Sequence, residues 1–490
     1  MKINLPQQQT KIVCTIGPAS RSEKTMTDMV RQGMSIARLN FSHGTLEDHK
    51  KDVAALRSVG EKLACQLPIF VDLPGPKIRV GHLGEEPVRL QKGNRLILAS
   101  RDSGQSEPLI IPVTYDRLAE SVKPGRTIYM NDGFIELTVK GVDSQGVHCI
   151  VAVGGTLTSG KGINLPGLKV FVDNPTDRDL EMMESALLLG IRIFGVSFVD
   201  SAETIERTRD FARRRGTKIF IIAKIERAQA VEHLDEILEA ADAVMIARGD
   251  LGVEIPLEEL PTLQKEIILK ANIRCRPVIT ATQMLESMVE NRRPTRAEAT
   301  DVANAILDGT DAVMLSAETA IGDYPVEAVS TMARIAIHVE GKRRSVRSSK
   351  FLQNILREDL KKGDISVPDM ISLSVSETVE ALDVPIVLTP TSQGATARRI
   401  ARLKPECWIL AVSPDRHVRQ FLNFSYGVKP LSVDTAAVFW YEPVIKGLLD
   451  SGRIHGGDRL IITGGQFKDV PVGTDSLGII TIPESRPSPA

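Results

Sequence analysis

The chain has 490 residues, with 61 Lys and Arg against 62 Asp and Glu and a formal net charge of -1. No global field recruits nucleic acid or an anionic membrane surface, so any anionic substrate must be captured by local clusters. The five cysteines (Cys14, Cys65, Cys149, Cys275, Cys407) are odd in number and lack CxxC spacing, which argues against a disulfide framework or a structural zinc site and for a reducing cytoplasmic setting.

On a prior of roughly 100 to 200 residues per domain, the length suggests about three domains. The opening MKINLPQQQTKIV lacks an apolar signal core, and no run approaches about 18 apolar residues, so a chain retained in the cell and free of the membrane is expected. From Thr10 onward strand-like and helix-like segments alternate. The strand candidates are Lys11 to Ile16, Ile36 to Leu39 and Ile69 to Asp72, then Ile191 to Phe198, Ile219 to Ala223, Ala243 to Ala247, Val278 to Thr282 and Ala312 to Leu315. About eight such units are the count of a closed (β/α)8 barrel, with an open doubly wound sheet as the competitor. Arg38, Asn40, Ser42, Asp72, Lys77, Ser197, Thr282, Ser316 and Glu318 cluster at the strand ends, where barrel enzymes carry their active sites.

Between Pro76 and about Val172 helical periodicity gives way to short β-rich runs: RLILAS, LIIPVT, TIYMND, FIELTVKGV and HCIVAVGG. This reads as an all-β domain inserted into a barrel loop, placed to act as a lid. After the eighth unit come an amphipathic helix and the basic stretch Lys342 to Lys350, read as a solvated linker. New strands at PIVLTPT, WILAVSPD and DRLIITGG then open a C-terminal α/β domain. The expected division is barrel (1–75), β lid (76–172), barrel again (173–343) and C-terminal domain (344–490).

The most informative stretch is Lys218 to Asp250. KIFIIAKIERAQA and DAVMIARGDLG read as two buried parallel strands joined by a helical segment, Ala228 to Ala241, each strand ending in charge. Period two points Lys224 and Glu226 the same way. If Asp250 lies alongside, two carboxylates and a lysine converge. Such a pair, with water and substrate phosphate, makes a Mg²⁺ site, and the lysine suits phosphoryl transfer. On this stretch alone, solvated strand-end charges are an equal alternative. Gly155 to Lys161 (GTLTSGK) satisfies the G-x-x-x-x-G-K pattern, yet Gly162 replaces the required Ser or Thr and INLPG cannot begin a helix, so it is not a phosphate-binding P-loop.

TKIVCTIGPAS, SIARLNFSHG, IIAKIERAQA, MIARGDLG, ITATQMLESM and RPTRAEATDVANAILDGTDAVMLSAETAIGDYP, in that order, resemble pyruvate kinase over essentially the whole chain. The resemblance implies Mg²⁺-dependent (or Mn²⁺-dependent) phosphoryl transfer from phosphoenolpyruvate to ADP, giving ATP and pyruvate in glycolysis. It implies Glu226 and Asp250 as metal ligands, and Lys224 and Arg38 against the transferring phosphoryl group, with a structural ion pair as the plainer role for Arg38. The backbone N–H groups of Gly249 and Asp250 would hold the substrate carboxylate. Thr282, with Ser316 and Glu318, would relay a proton to the enol, although a strand-end threonine often only bonds backbone. Asn40, His43, Arg79 and Lys161 would face the nucleotide; His43 and Arg79 are equally read as solvated side chains.

Many members of that family hold K⁺ between residues matching Asn40, Ser42, Asp72 and the carbonyl of Leu73, with a glutamate where this chain has Lys77. The lysine implies a cation supplied in cis and no K⁺ requirement, as in the family's potassium-independent branch; a solvated lysine beside an intact K⁺ site is the alternative. Thr391, Ser392, Gln393, Gly394 and Thr396 match the loop that binds phosphorylated allosteric effectors, with Arg398 and Arg399 adding charge. An unliganded turn is its bland reading. A homotetramer in the cytoplasm follows from the same resemblance. Two other functions compete: a Mg²⁺-dependent barrel lyase or aldolase acting on pyruvate-like substrates, and a non-catalytic nucleotide sensor.

Overall fold

The computed structural model describes residues 3–100, 108–168, 173–342, 350–433, 440–464 and 474–484. The basic linker at 343–349 and the expected domain borders near 172 and 343 lie outside the described residues. In chain order the strands are β1 (Lys11–Thr15), β2 (Ile36–Asn40), β3 (Ile69–Leu73), β4 (Val88–Leu90), β5 (Arg95–Ala99), β6 (Leu109–Pro112), β7 (Thr127–Met130) and β8 (Ile135–Asp143). They continue as β9 (Gly146–Val153), β10 (Gly155–Leu157), β11 (Ile163–Asn164), β12 (Ile193–Val196), β13 (Phe220–Ile225), β14 (Ala243–Ala247), β15 (Val278–Ala281) and β16 (Ala312–Leu315). The last five are β17 (Ile386–Pro390), β18 (Trp408–Val412), β19 (Val428–Leu431), β20 (Arg459–Gly464) and β21 (Ser476–Thr481).

A closed barrel runs β1-β16-β15-β14-β13-β12-β3-β2. Its strands carry unbroken Val, Ile, Leu and Ala runs because both faces are covered, and every residue of β1, β3, β13 and β14 is buried. The helices beginning at Leu46, Asp177 and Arg296 each open on a threonine capping box, Thr45 with Asp48, Thr176 with Asp179 and Thr295 with Glu298. In each, the threonine hydroxyl and the acidic side chain satisfy backbone donors that the first turn leaves unpaired. The segment expected as one helix from Ala228 to Ala241 is two, Ala228–Glu232 and Leu234–Ala240. The chain kinks at His233, whose ring Nδ1 bonds the Asp200 carbonyl at 2.8 Å.

The inserted domain forms a six-stranded sheet, β11-β7-β8-β9-β5-β6, and a β10-β4 ribbon around its own apolar core. GTLTSGK enters β10 and a turn that leads to β11, with no helix following, so it is no P-loop. The C-terminal sheet runs β19-β18-β17-β20-β21, parallel except for β21. This domain closes the amino end of the barrel. Phe421 stacks on Phe220 of β13 at 4.4 Å and Phe424 meets Phe70 of β3 edge-on at 5.9 Å, so one apolar core spans the barrel floor and the C-terminal domain. Ile3 and Leu5, though first in the chain, are buried in the C-terminal core beside Leu410 and Val444.

Candidate active site

At the opposite, carboxyl end of the barrel the charged strand ends converge. Lys224 is the penultimate residue of β13 rather than following it, 8% exposed, and Glu226 just past the strand is 1% exposed. The Lys224 ammonium contacts Glu226 Oε1 at 2.8 Å and Asp72 Oδ1 at 3.1 Å, and donates to Ser197 Oγ at 2.6 Å. Asp72, at the end of β3, accepts on its other oxygen from Arg38 Nε at 2.8 Å and Nη2 at 2.5 Å. A third Arg38 nitrogen donates to Thr15 Oγ1 at 2.9 Å. Five strand ends, those of β1, β2, β3, β12 and β13, thus supply one hydrogen-bonded network, and an unpaired charge at this burial would be costly.

Electrostatics follow from that packing. Burial works to lower the Lys224 ammonium, but Asp72 and Glu226 outweigh it and hold the pKa well above the ordinary lysine value. Burial also opposes ionisation of Asp72, and there Lys224 and Arg38 prevail, so its carboxyl lies below the usual range. For Glu226 the balance reverses: burial pushes the carboxyl up, Lys224 opposes this, and neighbouring Asp250 raises it further. An anionic pair of this kind is stabilised by a cation between the two carboxylates.

Asp250 sits in the first turn of the helix Arg248–Glu254, which springs from β14. Its Oδ1 accepts from Lys77 Nζ at 2.6 Å. Arg248, buried, ties this turn to the next strand end by donating to the Thr282 carbonyl at 2.9 Å and to Asp301 Oδ1 at 2.8 Å. Thr282 adopts φ +66°, a left-handed conformation rare for a β-branched residue and one that stores strain at functional sites. Its hydroxyl accepts from Gly249 N at 2.8 Å and donates to the Ala281 carbonyl at 2.6 Å. The Gly249 N–H expected to face a substrate carboxylate is therefore engaged by Thr282. Beyond it, the buried Glu318 accepts from Leu285 N at 3.0 Å and Ser316 N at 2.7 Å, and burial raises its carboxyl. The Ser316 hydroxyl is buried with no hydrogen-bond partner.

The remaining expected residues lie around this centre. Asn40 Oδ1 accepts from Ser42 N at 3.1 Å, and Phe41 N donates to the Asp72 carbonyl at 3.1 Å, so the loop after β2 folds over Asp72. His43 is exposed, and its carbonyl meets the His49 ring at 3.0 Å. Arg79 donates to the Gly160 carbonyl at 2.9 Å, and the Lys161 carbonyl accepts from Val80 N at 2.8 Å, both within the inserted β domain. In the C-terminal domain Thr391 Oγ1 caps Gly394 N at 2.8 Å, Thr396 pairs with Thr474, and Ser392 and Gln393 are exposed. Among the described residues no three His, Cys, Asp or Glu side chains group as a ready metal cage. Two carboxylates with open valences suit Mg²⁺, which keeps waters and substrate oxygens in its shell. One member was not anticipated, Thr15, which orients Arg38; Ser197, expected at a strand end without a role, bridges Lys224 and, at 3.4 Å, Asp72. Thr15 ends β1, the one signal that could have found it.

The barrel with its lid, and the lysine set between carboxylates at the carboxyl end, belong to a phosphotransferase. A family model described as "Pyruvate kinase, barrel domain" matches residues 7–329, and one described as "Pyruvate kinase, alpha/beta domain" matches residues 369–480. A pyruvate kinase of Thermococcus litoralis is 46% identical over 98% of this chain and all of that protein. One of Geobacillus stearothermophilus is 41% identical over 97% of this chain and 80% of its own length. The crystal structure of a pyruvate kinase from Cryptosporidium parvum superposes with a TM-score of 0.87 at 32% identity, covering 97% of both chains. The chain belongs to the pyruvate kinase family.

Proposed function

We propose that the chain transfers the phosphoryl group of phosphoenolpyruvate to ADP, giving ATP and, after protonation of the enol, pyruvate, as a step of glycolysis in the cytoplasm. The observation that carries this is the buried Lys224 ammonium, 2.8 Å from Glu226 and 3.1 Å from Asp72, beside Arg38. A fixed cation in a dry pocket stabilises charge developing on the transferring group without reorganising, the kind of effect that dominates phosphoryl transfer. Glu226 and Asp250 would hold Mg²⁺, or Mn²⁺ in its place, and the bound ion would neutralise phosphate oxygens.

Arg38 grips phosphate while Asp72 and Thr15 fix its plane. Thr282, strained and pinned by Gly249, presents its hydroxyl to the methylene carbon of the enol, and the unpartnered Ser316 hydroxyl with Glu318 beside it extends the route for a proton. Asn40, His43, Arg79 and Lys161 face the nucleotide from the barrel rim and lid. Lys77 supplies in cis the monovalent charge that Asn40, Ser42, Asp72 and the Leu73 carbonyl would otherwise gather as K⁺. The loop Thr391 to Thr396 takes a phosphorylated effector, and the working form is a homotetramer.

The test is pyruvate formation from phosphoenolpyruvate and Mg²⁺, with and without ADP and with K⁺ replaced by tetramethylammonium. Turnover that needs ADP and survives the replacement is expected. Strong K⁺ activation would remove Lys77 from that role, and turnover without ADP would point to a lyase.

A further inference from the structure

The two carboxylates assigned to the metal are each held by a lysine of their own. Lys224 contacts Glu226 at 2.8 Å, and Lys77 contacts Asp250 at 2.6 Å. The two pairs differ in depth. Lys224 and Glu226 have side chains 10% and 1% exposed, against 19% and 23% for Lys77 and Asp250. Lys224 is also held by Asp72 and Ser197, which fix it in place. Lys77 has a looser seat. Its ammonium lies 5.9 Å from the centroid of the Phe198 ring, and its stem passes so close to the lid that a Cβ on Gly162 would stand 2.8 Å from Lys77 Cε. The glycine that spoils the P-loop pattern is therefore the residue that makes room for this lysine.

We propose that Lys77 governs the divalent-metal affinity of the enzyme: its ammonium competes with the metal ion for Asp250, and metal binding displaces it from that carboxylate. The inference rests on the reading of Asp250 as a metal ligand. Whichever Asp250 oxygen the ion takes, an ammonium on the same carboxylate repels it. At a separation of roughly 5 Å in a solvated site, a single and a double charge repel enough to weaken binding about tenfold. Displacement frees Lys77 to face the anionic ligands that arrive with the metal, so its charge is withheld until the metal is loaded. Lys77 thus acts on the metal through Asp250, and its own place is set in turn by the lid backbone at Gly162.

The experiment measures Mn²⁺ binding to the substrate-free full-length protein by electron paramagnetic resonance. Lys77→Gln should bind Mn²⁺ about tenfold more tightly than the wild type, and Lys77→Arg, which keeps the charge, should stay within about twofold of it. Gly162→Ala, which pushes the lysine stem without removing its charge, should fall between. Unchanged or weaker Mn²⁺ binding by Lys77→Gln overturns the proposal. Asp250→Asn separates the two levels of the argument. If it abolishes Mn²⁺ binding while Lys77→Gln changes nothing, the metal assignment stands and the role of Lys77 falls; if Asp250→Asn binds Mn²⁺ like the wild type, the assignment itself falls.

Discussion

Each end of the barrel buries a lysine against an aspartate, and the two pairs are built for opposite purposes. At the amino end Lys404, 3% exposed, meets Asp311, 5% exposed, at 2.6 Å. Both Asp311 oxygens are engaged: Tyr426 N donates to the same oxygen at 2.9 Å and Val278 N to the other at 3.0 Å. The Lys404 ammonium also lies 5.4 Å from the centroid of the Tyr426 ring. At the carboxyl end Lys224 meets Glu226 and Asp72, whose oxygens also take Arg38 and Ser197, but neighbouring Asp250 is held through one oxygen by Lys77, and a strained threonine and an unpartnered serine hydroxyl stand nearby. A buried ion pair that joins two domains locks them together; a carboxylate beside such a pair that keeps one oxygen open, as Asp250 does, is prepared for a ligand.

Lys224→Met should break the comparison most visibly. Removal of a preorganised cation of this type costs about 10³-fold in kcat, with KM little changed, because the charge it stabilises develops in the transition state. Steady-state kinetics check this, and a loss below tenfold would demote Lys224 to a structural partner of Asp72. Asp311→Asn should do the reverse. It takes the carboxylate charge away from the buried Lys404 ammonium, which costs about 3 to 5 kcal/mol of stability. Activity per folded molecule should be retained. Denaturant midpoints and specific activity on the same sample decide the matter, and a variant equally stable but inactive would contradict the assignment of the amino end to structure.

Much of this was legible in the sequence, for identifiable reasons. Strands buried on both faces announce themselves as apolar runs, which is why six of the eight barrel strands begin and end within a residue of expectation. Charges placed after such runs mark the active end, so Lys224, Glu226, Asp250 and Thr282 stood out. The contact between Lys77 and Asp250 could not be seen, because it joins residues 173 positions apart through the placement of the lid. Ser197 was visible as a strand-end polar group, but its bridge to Asp72 depends on β3 and β12 being neighbours. In the C-terminal sheet β19 and β21 were missed. β19 carries Pro430, a residue that sheets admit at edges, and both are edge strands with mixed patterns.

An effect that shows only as a pH dependence sharpens the contrast at the amino end. Lys11, the first residue of β1, is buried against the C-terminal domain, donates to the Val428 carbonyl at 2.7 Å and lies 5.1 Å from the Trp408 ring centroid. Burial, then the neighbouring Lys429, lowers its ammonium from 10.5 to about 7, with Glu340 and Asp311 opposing. Above the unfolded lysine value of about 10.4 both states are neutral and Lys11 imposes no penalty. As pH falls toward about 7 the unfolded chain takes up a proton that the folded one declines, so stability drops by roughly 1.4 kcal/mol per unit, and below about 7 this loss is complete. Lys11→Met removes that slope and adds a pH-independent cost for the unpaired Val428 carbonyl. Denaturant midpoints of wild type and variant between pH 7 and 10 should therefore shift in the variant's favour as pH falls. Parallel curves would mean that Lys11 keeps its proton in the folded protein, and that the amino end tolerates a second buried charge beside the Lys404 and Asp311 pair.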